Sequence, residues 1–372
     1  MTPANTQIAL VFGTRPEVIK LAGLAHRLGP DAVLINTGQH WEDAMSGVFL
    51  RDLGVGRPHH DLGLGGRSRG EQIGAITSDL SRLLADLQPA AVVVQGDTNS
   101  ALAGALAANA VEVPITHLEA GLRSFDRRMP EEHNRVVVDH LADLCLAPTE
   151  VSAANLRAEG IGSERIVVTG NTVVAAVRRL LPSPEERATL LASLNVESGR
   201  YVLATIHRPE NTDGAALAAV LAALAAVPVP VILPLHPRTA ARIAAASLAP
   251  LLEGLLVVDP LPYVSFLGLL AECGLAVSDS GGVQEEVTVL GRPVVVVRRS
   301  TERPEVQGTW AQLVEAGPEV TAAVAALWAD LPSVHARLAA LPSPYGDGTA
   351  EVQAVRAIRA LVGGPTVPAP SA

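Results

Sequence analysis

Aromatic residues are scarce, 3% of 372, so aliphatic packing must fill the interior and base-stacking platforms for nucleic acid are missing. Only two cysteines occur, Cys145 and Cys273, far apart and each in an apolar run. They read as reduced core thiols, not as a disulfide framework. No stretch of about 20 residues escapes Gly, Pro or charge, which argues against a membrane-spanning helix. Met1 to Gln7 shows no basic segment followed by an apolar one, so no secretory signal is expected and the expected compartment is the cytoplasm. Runs of Lys and Arg are absent too, and the net charge is −10. Such a chain suits neither nucleic acid nor an anionic membrane. An anionic ligand would have to be held by a few placed cations and backbone amides.

What is present is apolar content, 48% against 18% charged, enough for two cores. With a usual domain of about 150 residues, the length predicts two domains. Short β-branched runs, Ile8–Phe12, Ala32–Asn36, Ala91–Gln95, Ile115–Leu118, Leu144–Ala147 and Ile166–Thr169, alternate with helical patterns such as Glu17–Leu28, Glu71–Asp86, Ser100–Ala110 and Glu131–His140. The alternation restarts after Leu181-Pro182-Ser183-Pro184, with strands expected at Tyr201–Ile206, Val229–Leu233, Leu255–Val258, Leu275–Ser278 and Pro293–Val297. Two βα series predict an α/β protein of two Rossmann-like, doubly wound domains facing each other across a cleft, joined within residues 170–200. The Gly- and Pro-rich end, residues 363–372, reads as a disordered tail. Gly63-Leu64-Gly65-Gly66 follows no expected strand and reads as a mobile loop.

Ligands of open parallel sheets bind beyond the carboxyl ends of the strands. Polar clusters fall there in both halves. In Gly13-Thr14-Arg15-Pro16-Glu17, the glycine turns the chain off a strand and Pro16 suits the first helical position. Arg15 and Lys20 at that helix mouth suggest an anion site. In Asp279-Ser280-Gly281-Gly282-Val283-Gln284-Glu285-Glu286, the glycines offer successive amides to a phosphate, Ser280 adds a hydroxyl, and Glu286 can accept both hydroxyls of a ribose. No G-x-G-x-x-G follows a strand, which disfavours NAD. The carboxylates Asp97, Glu119 and Glu131 lie near strand ends or a helix start and suggest acid/base work. His117, Glu119 and His133 raise a metal site, but no H-E-x-x-H or C-x-x-C is present, and no metal or cofactor is expected. His207 at a strand end could serve as acid or phosphate donor, and His236 sits in another such cluster.

With these residues in view, the chain resembles the non-hydrolysing UDP-N-acetylglucosamine 2-epimerases. The matching pieces include Phe12-Gly13-Thr14-Arg15-Pro16-Glu17, Gly96-Asp97-Thr98, His117-Leu118-Glu119-Ala120-Gly121-Leu122-Arg123, Pro130-Glu131-Glu132-His133-Asn134-Arg135, Thr169-Gly170-Asn171-Thr172 and His207-Arg208-Pro209-Glu210-Asn211. The Asp279–Glu286 segment, Thr301-Glu302-Arg303-Pro304-Glu305 and Pro344-Tyr345-Gly346-Asp347-Gly348 complete the series, in the family's order over nearly the whole chain. The resemblance implies a GT-B-like pair of domains, here 1–172 and 173–348, a final helix at 349–362 returning to the first domain, and a homodimer. It implies UDP-binding roles for Arg15, Lys20, Phe266, Ser280, Gly281, Gly282, Glu286 and Arg303, and catalytic roles for Asp97, Glu119, Glu131 and His207. Two departures stand out. Trp41 stands where relatives usually carry Arg, near a loop that binds an activating second substrate in some of them. Pro209 replaces a second Arg beside His207.

The chemistry implied is severe. The C2 proton of a 2-acetamido sugar is not acidic, because no carbonyl flanks it. Expelling UDP makes C1 cation-like and C2–H acidic; a carboxylate can then take the proton. Inversion needs proton donors or acceptors on both faces, and the sequence does not assign Asp97, Glu119 and Glu131 between them. The expected partners are a UDP-sugar and UDP. A C2 epimerase of another UDP-2-acetamido sugar, such as a diacetamido uronic acid, or a GT-B glycosyltransferase are the alternatives.

Overall fold

A computed structural model describes residues 6–39, 50 and 53–363. Its strands are short and apolar on both sides: Ile8–Phe12, Ala32–Asn36, Ala91–Gln95 and Val294–Val297 are buried at every position. Burial without alternation is what a parallel sheet covered on both faces requires. The chain divides into two compact units, Met1–Ala176 with Tyr345–Ala372, and Val177–Pro344.

The first unit holds seven strands: β1 (Ile8–Phe12), β2 (Ala32–Asn36), β3 (His60–Asp61), β4 (Ala91–Gln95), β5 (Ile115–Leu118), β6 (Leu144–Ala147) and β7 (Ile166–Val168). All pair in parallel, in the order β3-β2-β1-β4-β5-β6-β7. The helix Asn99–Ala110 is nearly all small residues and buried over most of its length, so it lies close on the sheet; a Cβ on Gly104 would stand 2.8 Å from Val94 Cγ1. Ile76, Leu80 and Leu84 of the helix Arg69–Leu87 pack into the same core. The closing helix Ala350–Leu361 packs on Arg15–Leu28, where Glu351 meets Arg27 at 3.4 Å and fills the space that Gly23 leaves.

The second unit repeats the arrangement with β8 (Val202–Thr205), β9 (Val231–Pro234), β10 (Leu256–Val258), β11 (Leu275–Ser278), β12 (Val294–Val297) and β13 (Ala311–Val314), in the order β10-β9-β8-β11-β12-β13. Each sheet therefore grows outward in one direction from its first strand and then in the other. That reversal is the topological switch point, where open α/β sheets bind ligands. It falls between β1 and β4 in the first unit and between β8 and β11 in the second.

Two strands were not anticipated. β3 is a two-residue edge of His and Asp, and β13 is a four-residue strand interrupted by Gln312 and buried only at its two ends. Gly63–Gly66 consequently does follow a strand: Leu64 is buried and its N–H donates to the Thr37 carbonyl at 2.9 Å, which fastens the segment to the end of β2. Trp41 and the tail beyond Gly363 lie outside the described residues. Among the described residues no helix is long and apolar enough to cross a membrane.

Candidate active site

In the first unit the site forms at the carboxyl ends of β4 and β5. Glu119, one residue past β5, is buried with a left-handed backbone, φ +69°. Such a conformation in a non-glycine residue costs on the order of 1–3 kcal/mol and persists only where the surroundings enforce it. Here they do. Lys20 Nζ and Asn171 Nδ2 both donate to Glu119 Oε1, and Gln95 Nε2 donates to Oε2. Lys20 is the only lysine of the chain and is itself buried. Removing either charge would strand the other in the interior, at a cost of about 3–5 kcal/mol.

The motifs around the cage explain one another. Asn171 N–H donates to the Tyr345 carbonyl at 2.9 Å, and Gly170, φ +81°, sits so close that a Cβ would lie 2.8 Å from that oxygen. Gly170 and Asn171 thus meet Tyr345, which fixes the backbone from which the Asn171 amide reaches Glu119.

Asp97 follows β4 and is held differently. Its carboxylate takes a hydrogen bond from Arg135, and its carbonyl takes one from Asn134 Nδ2 at 2.8 Å. Both donors belong to the helix Pro130–Leu141, whose second residue is Glu131. Glu131 is half-buried and has no hydrogen bond or ion pair among the described residues. Its neighbour Glu132 accepts from Ser124 N, Ser124 Oγ and Phe125 N, and pairs with Arg135 at 2.6 Å, which fixes the loop from β5 to this helix. One carboxylate is caged, one lies against an arginine and one is unpaired: three different settings for three proton-carrying groups.

The helix mouth after β1 departs from expectation. Lys20 is matched by Glu119 and is not an open second cation; the half-buried Arg15 is the cation without a protein partner among the described residues. Glu17 lies beneath, fully buried, accepting from Gly13 N (3.0 Å), Thr14 Oγ1 (2.8 Å) and Thr98 Oγ1 (2.7 Å). It ties the end of β1 to the Asp97 turn. Burial, opposed by these hydrogen bonds, raises its carboxyl to about 7.

In the second unit β8 pairs with β11, Thr205 opposite Ser278, so His207 and Asp279 emerge side by side. The buried Asp279 carboxylate accepts from the backbone N–H of His207 and of Arg208 (2.9 Å) and from Asn211 Nδ2 (3.1 Å). It also lies 3.2 Å from His207 Nδ1. With Nδ1 facing a carboxylate and the side chain 49% exposed, Nε2 is the nitrogen turned outward. Pro209 occupies the first turn of the short helix Pro209–Thr212, where its missing N–H is not needed.

Gly281 and Gly282 open the helix Gly281–Leu290, with Ser280 before it. A Cβ on Gly281 would collide with Arg303 Nη1 at 2.5 Å, whereas one on Gly282 would meet no protein atom nearer than 3.8 Å. A side chain at the first glycine would thus press on the buried Arg303 and Glu302, while the second has room around it. Arg303 is buried between Glu285, at 2.7 Å, and Glu302. Glu286 accepts from the Tyr263 hydroxyl at 2.9 Å, on the helix Tyr263–Glu272 that carries the half-buried Phe266. His236 is exposed two residues past β9.

His117, Glu119 and His133 do not form a ligand set. His117 contacts Asp139 and the Gly96 carbonyl, and His133 contacts the Arg127 carbonyl. Among the described residues no three His, Cys, Asp or Glu side chains gather as metal ligands do. Both cysteines are buried, and burial pushes each thiol up to about 12.

A profile of the family described as UDP-N-acetylglucosamine 2-epimerase matches residues 24–359. A Methanococcus maripaludis protein named UDP-N-acetylglucosamine 2-epimerase is 39% identical over 310 residues, 80% of this chain and 85% of that one. A Pseudomonas aeruginosa protein named UDP-2,3-diacetamido-2,3-dideoxy-D-glucuronate 2-epimerase is 37% identical over 324 residues, 84% of this chain and 87% of that one. Among solved structures, the Methanocaldococcus jannaschii UDP-GlcNAc 2-epimerase in complex with UDP-GlcNAc and UDP aligns with a TM-score of 0.83 at 35% identity, over 96% of this chain and 100% of that one. The Neisseria meningitidis UDP-GlcNAc 2-epimerase bound to UDP-GlcNAc aligns with a TM-score of 0.86 at 30% identity, over 95% and 99%.

Proposed function

Because the chain belongs to the UDP-N-acetylglucosamine 2-epimerase family, we propose that it inverts C2 of UDP-N-acetylglucosamine, interconverting it with UDP-N-acetylmannosamine. The observation that carries the reading is the set of three carboxylates in three distinct settings: Glu119 caged by Lys20, Gln95 and Asn171, Asp97 on Arg135, and Glu131 unpaired among the described residues. Groups with different surroundings can donate and accept protons at one carbon in turn.

In the forward half, the C1–O bond breaks and UDP leaves with the bonding pair. C2–H breaks as a carboxylate takes the proton, and its electron pair becomes the C1=C2 bond of a 2-acetamidoglucal. In the return half, a proton reaches C2 from the opposite face and the diphosphate oxygen closes on C1. Within the second unit, Ser280 and the Gly281 and Gly282 amides at a helix N-terminus suit the diphosphate, and Glu286 and Phe266 suit the nucleoside. His207, aimed by Asp279, offers Nε2 to the leaving oxygen. The reaction belongs in the cytoplasm, where UTP-derived sugars are made, and a homodimer is the proposed assembly.

The Pseudomonas relative favours a second substrate, a UDP-diacetamido uronic acid, whose C1 and C2 would react in the same way. The test is incubation in D2O with chelator, followed by NMR. The reading expects deuterium at C2 and both gluco and manno epimers from UDP-N-acetylglucosamine. Protium retained at C2 with that sugar, but exchanged with the uronic acid, moves the assignment to the second substrate; retention with both refutes the chemistry.

A further inference from the structure

His117 is fully buried, and the proposed chemistry leaves it without a task. Its two ring nitrogens both face oxygens: Nδ1 lies 2.6 Å from Asp139 Oδ1, and Nε2 lies 2.8 Å from the Gly96 carbonyl. A carbonyl only accepts, so Nε2 is the donor in the bond to Gly96. Asp139 is kept ionised. Burial pushes its carboxyl up, but His117 and Arg123 beside it outweigh burial and hold it below the usual range. The Asp139 carboxylate also accepts from Gly121 N and pairs with Arg123 at 2.7 Å, and Arg123 pairs in turn with Glu159.

The elements joined by this one ring are those that bear the carboxylates. His117 lies in β5, two residues before Glu119. Asp139 lies on the helix Pro130–Leu141, whose second residue is Glu131 and which clamps Asp97 through Asn134 and Arg135. Gly96, φ +67°, is the turn residue immediately before Asp97, beside the Glu119 carboxylate. The geometry points to His117 as a positioning residue that holds the turn bearing Asp97 against β5 through the bond from its Nε2–H to the Gly96 carbonyl, while its Nδ1 faces Asp139 on the helix that carries Glu131. The inference rests on the proposed epimerase chemistry, because it assigns His117 to those carboxylates. His117 touches no reacting atom in this account.

Two substitutions separate the two nitrogens. The amide of asparagine can reach the place of Nδ1 but not that of Nε2, so H117N keeps a donor to Asp139 and loses the one to Gly96. The longer glutamine can supply the Nε2 donor. Each purified full-length variant is measured for C2 deuterium exchange and for UDP affinity. The expected result is exchange lowered about 100-fold in H117N, the scale of a 1 Å misplacement, with UDP affinity within about twofold of wild type. H117Q should keep at least about a tenth of wild-type exchange. Equal exchange in the two variants, whether high or low, overturns the assignment. If H117N does not fold, H117Q decides alone, and exchange below about a tenth of wild type overturns it. Failure of the wild-type protein itself to exchange C2 hydrogen would sink the epimerase chemistry instead, and so distinguishes the two.

Discussion

Replacing Glu17 by glutamine should remove a pH dependence from folding. The side chain is buried at 1% exposure, and its carboxyl is raised from 4.5 to about 7, chiefly by burial. A carboxyl with a higher pKa folded than unfolded binds its proton more tightly in the fold. Its contribution is fully present below about pH 4.5, is lost as pH rises toward 7, and is flat above. From 4.5 to about 7, at about 1.4 kcal/mol per pH unit, the loss is about 3 kcal/mol. Glutamine keeps the shape and carries no proton to lose. Its carbonyl can accept from Gly13 N and Thr14 Oγ1, and its amide can donate to Thr98 Oγ1 once that hydroxyl turns. Urea unfolding by circular dichroism at pH 4.5, 6 and 8 reads the effect. Relative to wild type, E17Q should gain about 3 kcal/mol between the first and last pH. Parallel stability profiles for the two proteins would refute the argument.

Glu131→Gln should keep UDP affinity yet lower C2 exchange by at least about 100-fold, the usual scale for losing an acid/base group; unchanged turnover would remove Glu131 from proton transfer. Asp279→Asn should lower kcat about 10- to 100-fold, because the carboxylate that aims His207 is replaced by an amide. Steady-state kinetics with kcat at the wild-type value would mean that the His207 ring does no work in the reaction.

Much of the fold could be read from residue order. Val, Ile and Ala runs bounded by Gly and Pro located eleven strands, and their restart after Leu181 separated two series. β3 escaped because His60–Asp61 is an edge pair with no apolar signal, defined only by its ladder to Ile35 and Asn36. At the site, residue types at strand ends identified the carboxylates and the glycine-led helix. Their partners were not visible, because pairing depends on register and on long returns of the chain. His207 meets Asp279 because Thr205 pairs with Ser278. Asn171 reaches Glu119 because Tyr345, far along the chain, fixes its backbone. Lys20, the only lysine of the chain, meets Glu119 across 99 residues of sequence, a pairing that residue types alone do not disclose.

Rupture of the C1–O bond during each inversion is the central step of the proposed reaction. UDP-N-acetylglucosamine carrying 18O in the bridge between C1 and phosphorus tests this directly, by 31P NMR as the manno epimer forms. The predicted result is migration of the label into non-bridging positions of the β-phosphate on the time scale of C2 inversion. Manno epimer accumulating with the label still wholly in the bridge would contradict it.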